Sequence, residues 1–121
     1  MIPGGTLIFV YGTLKRGGSN HQWLANERFV GEAVTEPAYR LFELDGYPGM
    51  VADPIAGQAV QGEVWEISVD CLRSLDELED LSGGEYAREP IPLQPPFEST
   101  CVQGYRYLRP VTGCRDLGGM W

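Results

Sequence analysis

The sequence predicts an α+β fold: a small mixed, mostly antiparallel β-barrel with one principal helix and a few short helices. Three observations carry that prediction. Most apolar residues fall in short runs that alternate or are rich in β-branched and aromatic side chains, bounded by Gly and Pro, which is the pattern of strands. A single segment changes period, with leucines at 72, 75, 78 and 81 spaced for a helix. The 121 residues include 16 Gly and 9 Pro without any fixed repeat, which suits a turn-rich β-containing domain better than a helical bundle and excludes collagen and coiled coil.

The elements follow in order. Residues 6–11, Thr-Leu-Ile-Phe-Val-Tyr, read as a buried central strand ending at Gly12. A Gly-rich loop leads to a short helix over residues 20–28, with Asn20 as N-cap and Trp23, Leu24 and Phe29 as its apolar face. Strands are expected at 29–35 and 39–44, separated by Glu36-Pro37, and Asp45-Gly46-Tyr47-Pro48-Gly49 reads as a turn. Residues 58–67 alternate as a further strand. The principal helix is expected over 68–81, capped by Ser68 or Asp70 and stopped by Ser82-Gly83-Gly84. Strands at 86–93 and 100–108 flank Gln94-Pro95-Pro96-Phe97. The whole chain, 1–121, is expected to be one domain, with 109–121 as a short C-terminal tail.

Composition narrows the chemistry. Nine Lys+Arg against 17 Asp+Glu give a formal charge of −8, too few cations for a clustered basic face, so nucleic acid is not expected as a partner. The uncharged stretch at 4–14 is about half of the roughly 20 residues a membrane helix needs, and no basic segment precedes it. No membrane association is expected, and the expected location is the cytoplasm. Cys71, Cys101 and Cys114 are odd in number and lack a C-x-x-C pair, which points to reduced thiols and neither a disulfide framework nor a zinc cluster. With His21 the one imidazole, a His-rich metal site cannot be built, and most Ser-His or Cys-His hydrolase arrangements drop out. Lacking an evident partner in the sequence, His21 reads as a helix-start residue.

Two segments draw attention to themselves. The loop after the first strand, Tyr11-Gly12-Thr13-Leu14 and onward to Asn20, offers successive backbone N–H groups that can cradle an anion, with Gly12 allowing close backbone approach. It is neither a Walker A loop nor G-x-G-x-x-G, and the competing reading is a plain strand-to-helix connection. In the helix, with Leu72 set at zero, Leu75 lies near ~300°, Leu78 near ~240° and Cys71 near ~260°, which defines an apolar stripe. Asp76 at ~40°, Glu77 at ~140° and Asp80 at ~80° fall on the opposite half, whereas Glu79 at ~340° sits beside the stripe. Desolvation and the nearby helix C-terminus are both expected to raise the pKa of Glu79 and poise it for proton transfer near neutrality. The competing reading is a stripe-edge carboxylate that reaches solvent or pairs with an arginine such as Arg88 or Arg106. Tyr86 and Tyr105 are placed to bind a ligand or orient Glu79, or else to pack as wall with wet hydroxyls. Gly49 closes a turn and also permits close ligand approach.

Taken together, Leu7-Ile8-Phe9-Val10-Tyr11-Gly12-Thr13-Leu14-Lys15-Arg16-Gly17 with Asn20-His21, Gly46-Tyr47-Pro48-Gly49, Gly62-Glu63-Val64-Trp65, and Leu75-Asp76-Glu77-Leu78-Glu79 with Tyr86 resemble the γ-glutamylcyclotransferase superfamily. The branch they most resemble is that of the γ-glutamylamine cyclotransferase (AIG2-like) proteins. The resemblance implies a cofactor-free and metal-free enzyme that cyclises a small γ-glutamyl amine or amide to 5-oxoproline and frees the amine. It assigns the single essential glutamate to Glu79, as general base and then general acid, and substrate binding to Tyr11, Gly12, Thr13 and Leu14, with Gly49, Tyr86 and Tyr105 beside them. A non-catalytic domain that binds or senses a small acidic metabolite is the alternative.

Overall fold

The computed structural model describes residues 5–121. The expectation that no basic segment leads into the first strand falls on residues 1–4, which lie outside the described residues. The described residues form eight strands and one α-helix: β1 (Thr6–Val10), β2 (Arg28–Val34), β3 (Tyr39–Glu43), β4 (Pro48–Ala52), β5 (Gln61–Ile67), α1 (Val69–Leu78), β6 (Tyr86–Pro90), β7 (Gln103–Tyr107) and β8 (Arg115–Gly118). A five-stranded sheet runs β2-β5-β1-β7-β6, and a three-stranded sheet runs β4-β3-β8. Every pairing is antiparallel except β1 with β7. The edges β2 and β6 of the larger sheet are tied by an isolated bridge, Thr35 with Leu93, so a seam of one bridge takes the place of a closed barrel ladder.

β1 is central because alternate side chains serve two cores. Ile8 and Val10 join Leu24, Trp65 and Leu75 on the α1 side, while Phe9 and Tyr11 join Leu41, Met50 and Val64 between the sheets. A strand covered on both faces must be apolar at every position, which is why its sequence is an uninterrupted run. On β5, a side chain at Gly62 would meet the Phe9 ring at 2.6 Å, so only glycine lets the two strands pack.

Three expectations about elements are corrected. The helix expected over 20–28 is a four-residue 3₁₀ turn, His21–Leu24; Asn20 makes no side-chain cap and instead donates to Thr13 Oγ1 at 3.0 Å. Pro48 and Gly49, read as turn residues, open strand β4 against β3. The tail contributes β8, which pairs with β3, and Gly119 accepts a hydrogen bond from the Gln61 N–H at 2.8 Å. None of these long-range pairings leaves a local signal in the chain.

The principal helix is shorter than its leucine spacing suggested. Ser68 caps it as expected, accepting from Cys71 N at 3.1 Å. At the other end, Asp80 takes φ 54°, and paired bonds, Leu81 N to Asp76 O and Asp80 N to Glu77 O, close a Schellman motif. The helix therefore ends before Ser82-Gly83-Gly84, with an aspartate in the left-handed position that glycine usually fills. No helix of the described residues is long and apolar enough to cross a membrane.

Candidate active site

The C-terminal end of β1, the last turn of α1 and the start of β4 converge on one cleft, about 370 Å³ including its open mouth. Tyr11, Gly12, Thr13 and Leu14 form one wall, and Glu79, Tyr86 and Tyr105 face it. Seven of the eight residues singled out from the sequence thus meet in one place. Gly49 is the exception. Within β4, a Cβ there would meet Leu44 Cδ1 and Tyr107 Cγ at 2.9 Å, so its glycine serves packing, and Tyr47 and Pro48 line the cleft in its stead.

The cradle loop is held from three sides. Asn20 N donates to Thr13 O at 2.9 Å, His21 Nδ1 lies 3.0 Å from Leu14 O, and Lys15 N closes a turn onto Gly12 O at 3.1 Å. His21 also meets Trp65 edge-on, with ring centroids 5.2 Å apart, so its role is to anchor the loop. Glu63 holds the loop further along, at Arg16. Only 7% exposed, it accepts from Arg16 N and Arg16 Nε at 3.0 Å and from Trp65 Nε1 at 3.1 Å. Burial pushes this carboxyl up, but the Trp65 and Arg16 hydrogen bonds outweigh it and hold its pKa below the ordinary carboxylate value. So anchored, the loop leaves the N–H groups of Gly12, Thr13 and Leu14 without a hydrogen-bond acceptor among the described residues. Unpaired donors beside a cleft are a ready anion or carbonyl site. Gly12 is required by contact: a Cβ would meet Pro48 Cγ at 2.5 Å.

Glu79 follows the last helical residue, its N–H bonded to Leu75 O at 2.9 Å, and its side chain turns into the cleft. Both arginines considered as its partners are engaged elsewhere. Arg88 forks onto Asp76 at 2.9 and 3.2 Å, and Arg106 pairs with Glu89 at 2.6 Å. The Glu79 carboxyl therefore has no hydrogen-bond or ionic partner among the described residues, and its pKa is pushed up to about 7, first by burial and then by the charge of Glu85. The carboxylate of Glu85, next to Tyr86, thus joins burial as a cause that the helical wheel did not contain.

The wheel also placed Asp76 among solvated residues, and that expectation is corrected. Besides Arg88, Asp76 Oδ1 accepts from Tyr105 OH at 2.7 Å. The tyrosine hydroxyls are committed to the frame: Tyr11 OH donates to Tyr105 O at 2.8 Å and accepts from Met50 N at 3.2 Å, and Tyr86 OH donates to Pro48 O at 3.0 Å. Burial raises the pKa of all three, so they stay neutral. They shape the cleft and fix β4 against β7. What remains unpartnered there is one carboxyl with a pKa near neutrality and, lining the same cleft, the three residues whose backbone N–H groups are free.

The family model for "Gamma-glutamyl cyclotransferase, AIG2-like" matches residues 8–121. The chain belongs to that family. Membership makes it an enzyme of the gamma-glutamyl cyclotransferase type, as its motifs suggested. The gamma-glutamylcyclotransferase family protein YtfP of Escherichia coli K12 is 39% identical over 115 residues, 94% of each chain. The solution structure of ytfP from Escherichia coli superposes with a TM-score of 0.70 at 37% identity, covering 96% of each chain. An AIG2-like protein from Mus musculus superposes with a TM-score of 0.68 at 30% identity, over 86% of this chain and 76% of that one.

Proposed function

We propose that this chain cyclises a γ-glutamyl amine or amide to 5-oxoproline and releases the free amine, with Glu79 as general base and then general acid. The observation that carries the reading is the unpaired Glu79 carboxyl, with a pKa of about 7, in one cleft with Gly12, Thr13 and Leu14, whose backbone N–H groups are free. The substrate brings an α-ammonium, an α-carboxylate and a γ-carbonyl. The N–H cradle suits the negative or partly negative oxygens of that set, and the tyrosine wall folds the chain so that nitrogen and γ-carbon approach, where proximity lowers the barrier most.

Ionised Glu79 takes one proton from the ammonium, and the freed amine attacks the γ-carbonyl carbon. The new C–N bond closes the five-membered ring, and the attacking nitrogen sheds its second proton. Glu79, now a carboxylic acid, protonates the departing nitrogen as the original C–N bond breaks, and the amine takes up the remaining proton as it leaves. A carboxyl whose pKa lies near the working pH serves both transfers because neither of its forms is strongly disfavoured. Glu79→Gln removes the transferable proton while keeping size and shape, so 5-oxoproline release is expected to fall about 10²–10⁴-fold with the fold intact. Full turnover by that variant, on a substrate the parent accepts, rejects the assignment. Binding without product from any γ-glutamyl compound supports a sensing domain instead.

A further inference from the structure

Outward from Glu79 the cleft widens into a second part, about 700 Å³ including its open face, which shares Thr13, Tyr47, Glu79 and Tyr86 with the inner part. Leu78 and Glu85 belong to this mouth alone. A γ-glutamyl unit seated against the cradle puts its amide at Glu79, so the departing amine extends into the mouth. The walls there have a definite character. No Lys, Arg or His side chain lines either part of the cleft among the described residues. The carboxylate of Glu85 accepts from Tyr47 OH at 2.9 Å and pairs with no cation among the described residues. Leu78, 38% exposed, adds an apolar strip beside it.

We propose that the mouth selects leaving groups built as an aliphatic chain ending in a second, cationic nitrogen, a diamine or polyamine, with Glu85 reading the distal charge. This rests on the cyclisation reading above. An amino acid or peptide leaving group brings a carboxylate to the same place, where it meets Glu85 with no cation to receive it, and like-charge juxtaposition is a standard means of rejecting a competitor. Leu78 suits the methylene chain between the two nitrogens. Glu85 acts on the leaving group and is not part of the proton transfer.

The test uses three substrates of matched chain: γ-glutamyl-1,4-diaminobutane, γ-glutamyl-butylamine and γ-glutamyl-4-aminobutanoate. Their distal ends are cationic, apolar and anionic. At pH 8.5, where Glu79 is ionised with or without Glu85, kcat/KM for 5-oxoproline release is expected to favour the cationic compound over the neutral one by about fivefold. The anionic compound is expected to be the poorest. In Glu85→Gln the cationic-to-neutral ratio is expected to collapse to within about twofold, and added salt to reduce it in the parent. Equal ratios in parent and variant, or an anionic compound turned over as well as the cationic one, overturn the proposal. Should the parent release no 5-oxoproline from any of the three, the cyclisation reading fails, and calorimetric dissociation constants for the same compounds decide the mouth separately. Tightest binding of the cationic compound upholds it; equal binding, tighter binding of the anion or no binding at all overturns it.

Discussion

Glu63 holds the loop at Arg16, Glu79 lines the cleft beside Tyr11 to Leu14, and the two behave as opposites. Both carboxyls are drawn out of water, yet at Glu63 three hydrogen bonds from Arg16 and Trp65 keep the pKa low. Glu79 has no partner, and burial with the charge of Glu85 brings it up to about 7. The difference teaches that burial alone does not make a reactive carboxyl: what decides is whether donors meet the charged form. One glutamate holds the cradle in place; the other, on the function proposed above, exchanges protons across it.

Exchanging their properties breaks the comparison most sharply. Glu79→Gln carries the largest expected effect, the 10²–10⁴-fold fall in kcat, whereas Glu63→Gln is expected to raise KM while the acid limb of the pH–rate profile stays near pH 7. Steady-state kinetics on both variants separates the two; an acid limb that moves with Glu63 counts against the assigned division of roles. Stability is expected to move in opposite directions. A raised pKa means the folded chain holds the Glu79 proton more tightly, so its contribution falls as pH rises from about 4.5 to about 7. Glu79→Gln is therefore expected to stabilise by about 1–3 kcal/mol at pH 8 and to change little at pH 4 in urea unfolding. Glu63 has a lowered pKa, so its contribution is present at neutral pH and is lost on acidification. Glu63→Ala is expected to cost about 2 kcal/mol at pH 7 by the same measurement.

Smaller effects sharpen the cause of the Glu79 shift. In Glu85→Gln the like charge is gone but burial, the larger cause, stays, so the acid limb of kcat/KM is expected to move down by less than about one pH unit. No movement at all assigns the shift to burial alone. The smallest effect is expected at the helix end. Asp80→Gly relieves a left-handed backbone while losing a partly exposed ion pair with Arg109, for a net gain of about 0.5 kcal/mol by thermal unfolding.

Much of the site was legible because its carriers are local. Residues 6–11 announce a strand by composition, residues 12–14 a loop at its end, and leucine spacing places Glu79 beside the buried stripe. Where sequence reasoning failed, the deciding partner lay far along the chain. The helical wheel puts Asp76 toward solvent because it contains no Arg88 or Tyr105, which arrive from β6 and β7. Pro48-Gly49 carries a strong turn signal, and only pairing with Phe42 and Glu43 makes it strand. Glu63 sits in an alternating strand where an acidic residue ordinarily faces water; the Trp65 two residues on, an indole that needs an acceptor, was the one local hint of its burial.

By itself, then, the sequence determined the strand-rich class, the backbone cradle after β1 and the inward glutamate, because strand and helix periods are set by residues within a few positions of each other. Tertiary structure alone decided that Arg88 and Arg106 are spoken for, that β8 completes the second sheet, and that Glu85 faces Glu79. Those outcomes depend on which side chains of distant segments meet, and the ionisation of a buried group is fixed by just such neighbours.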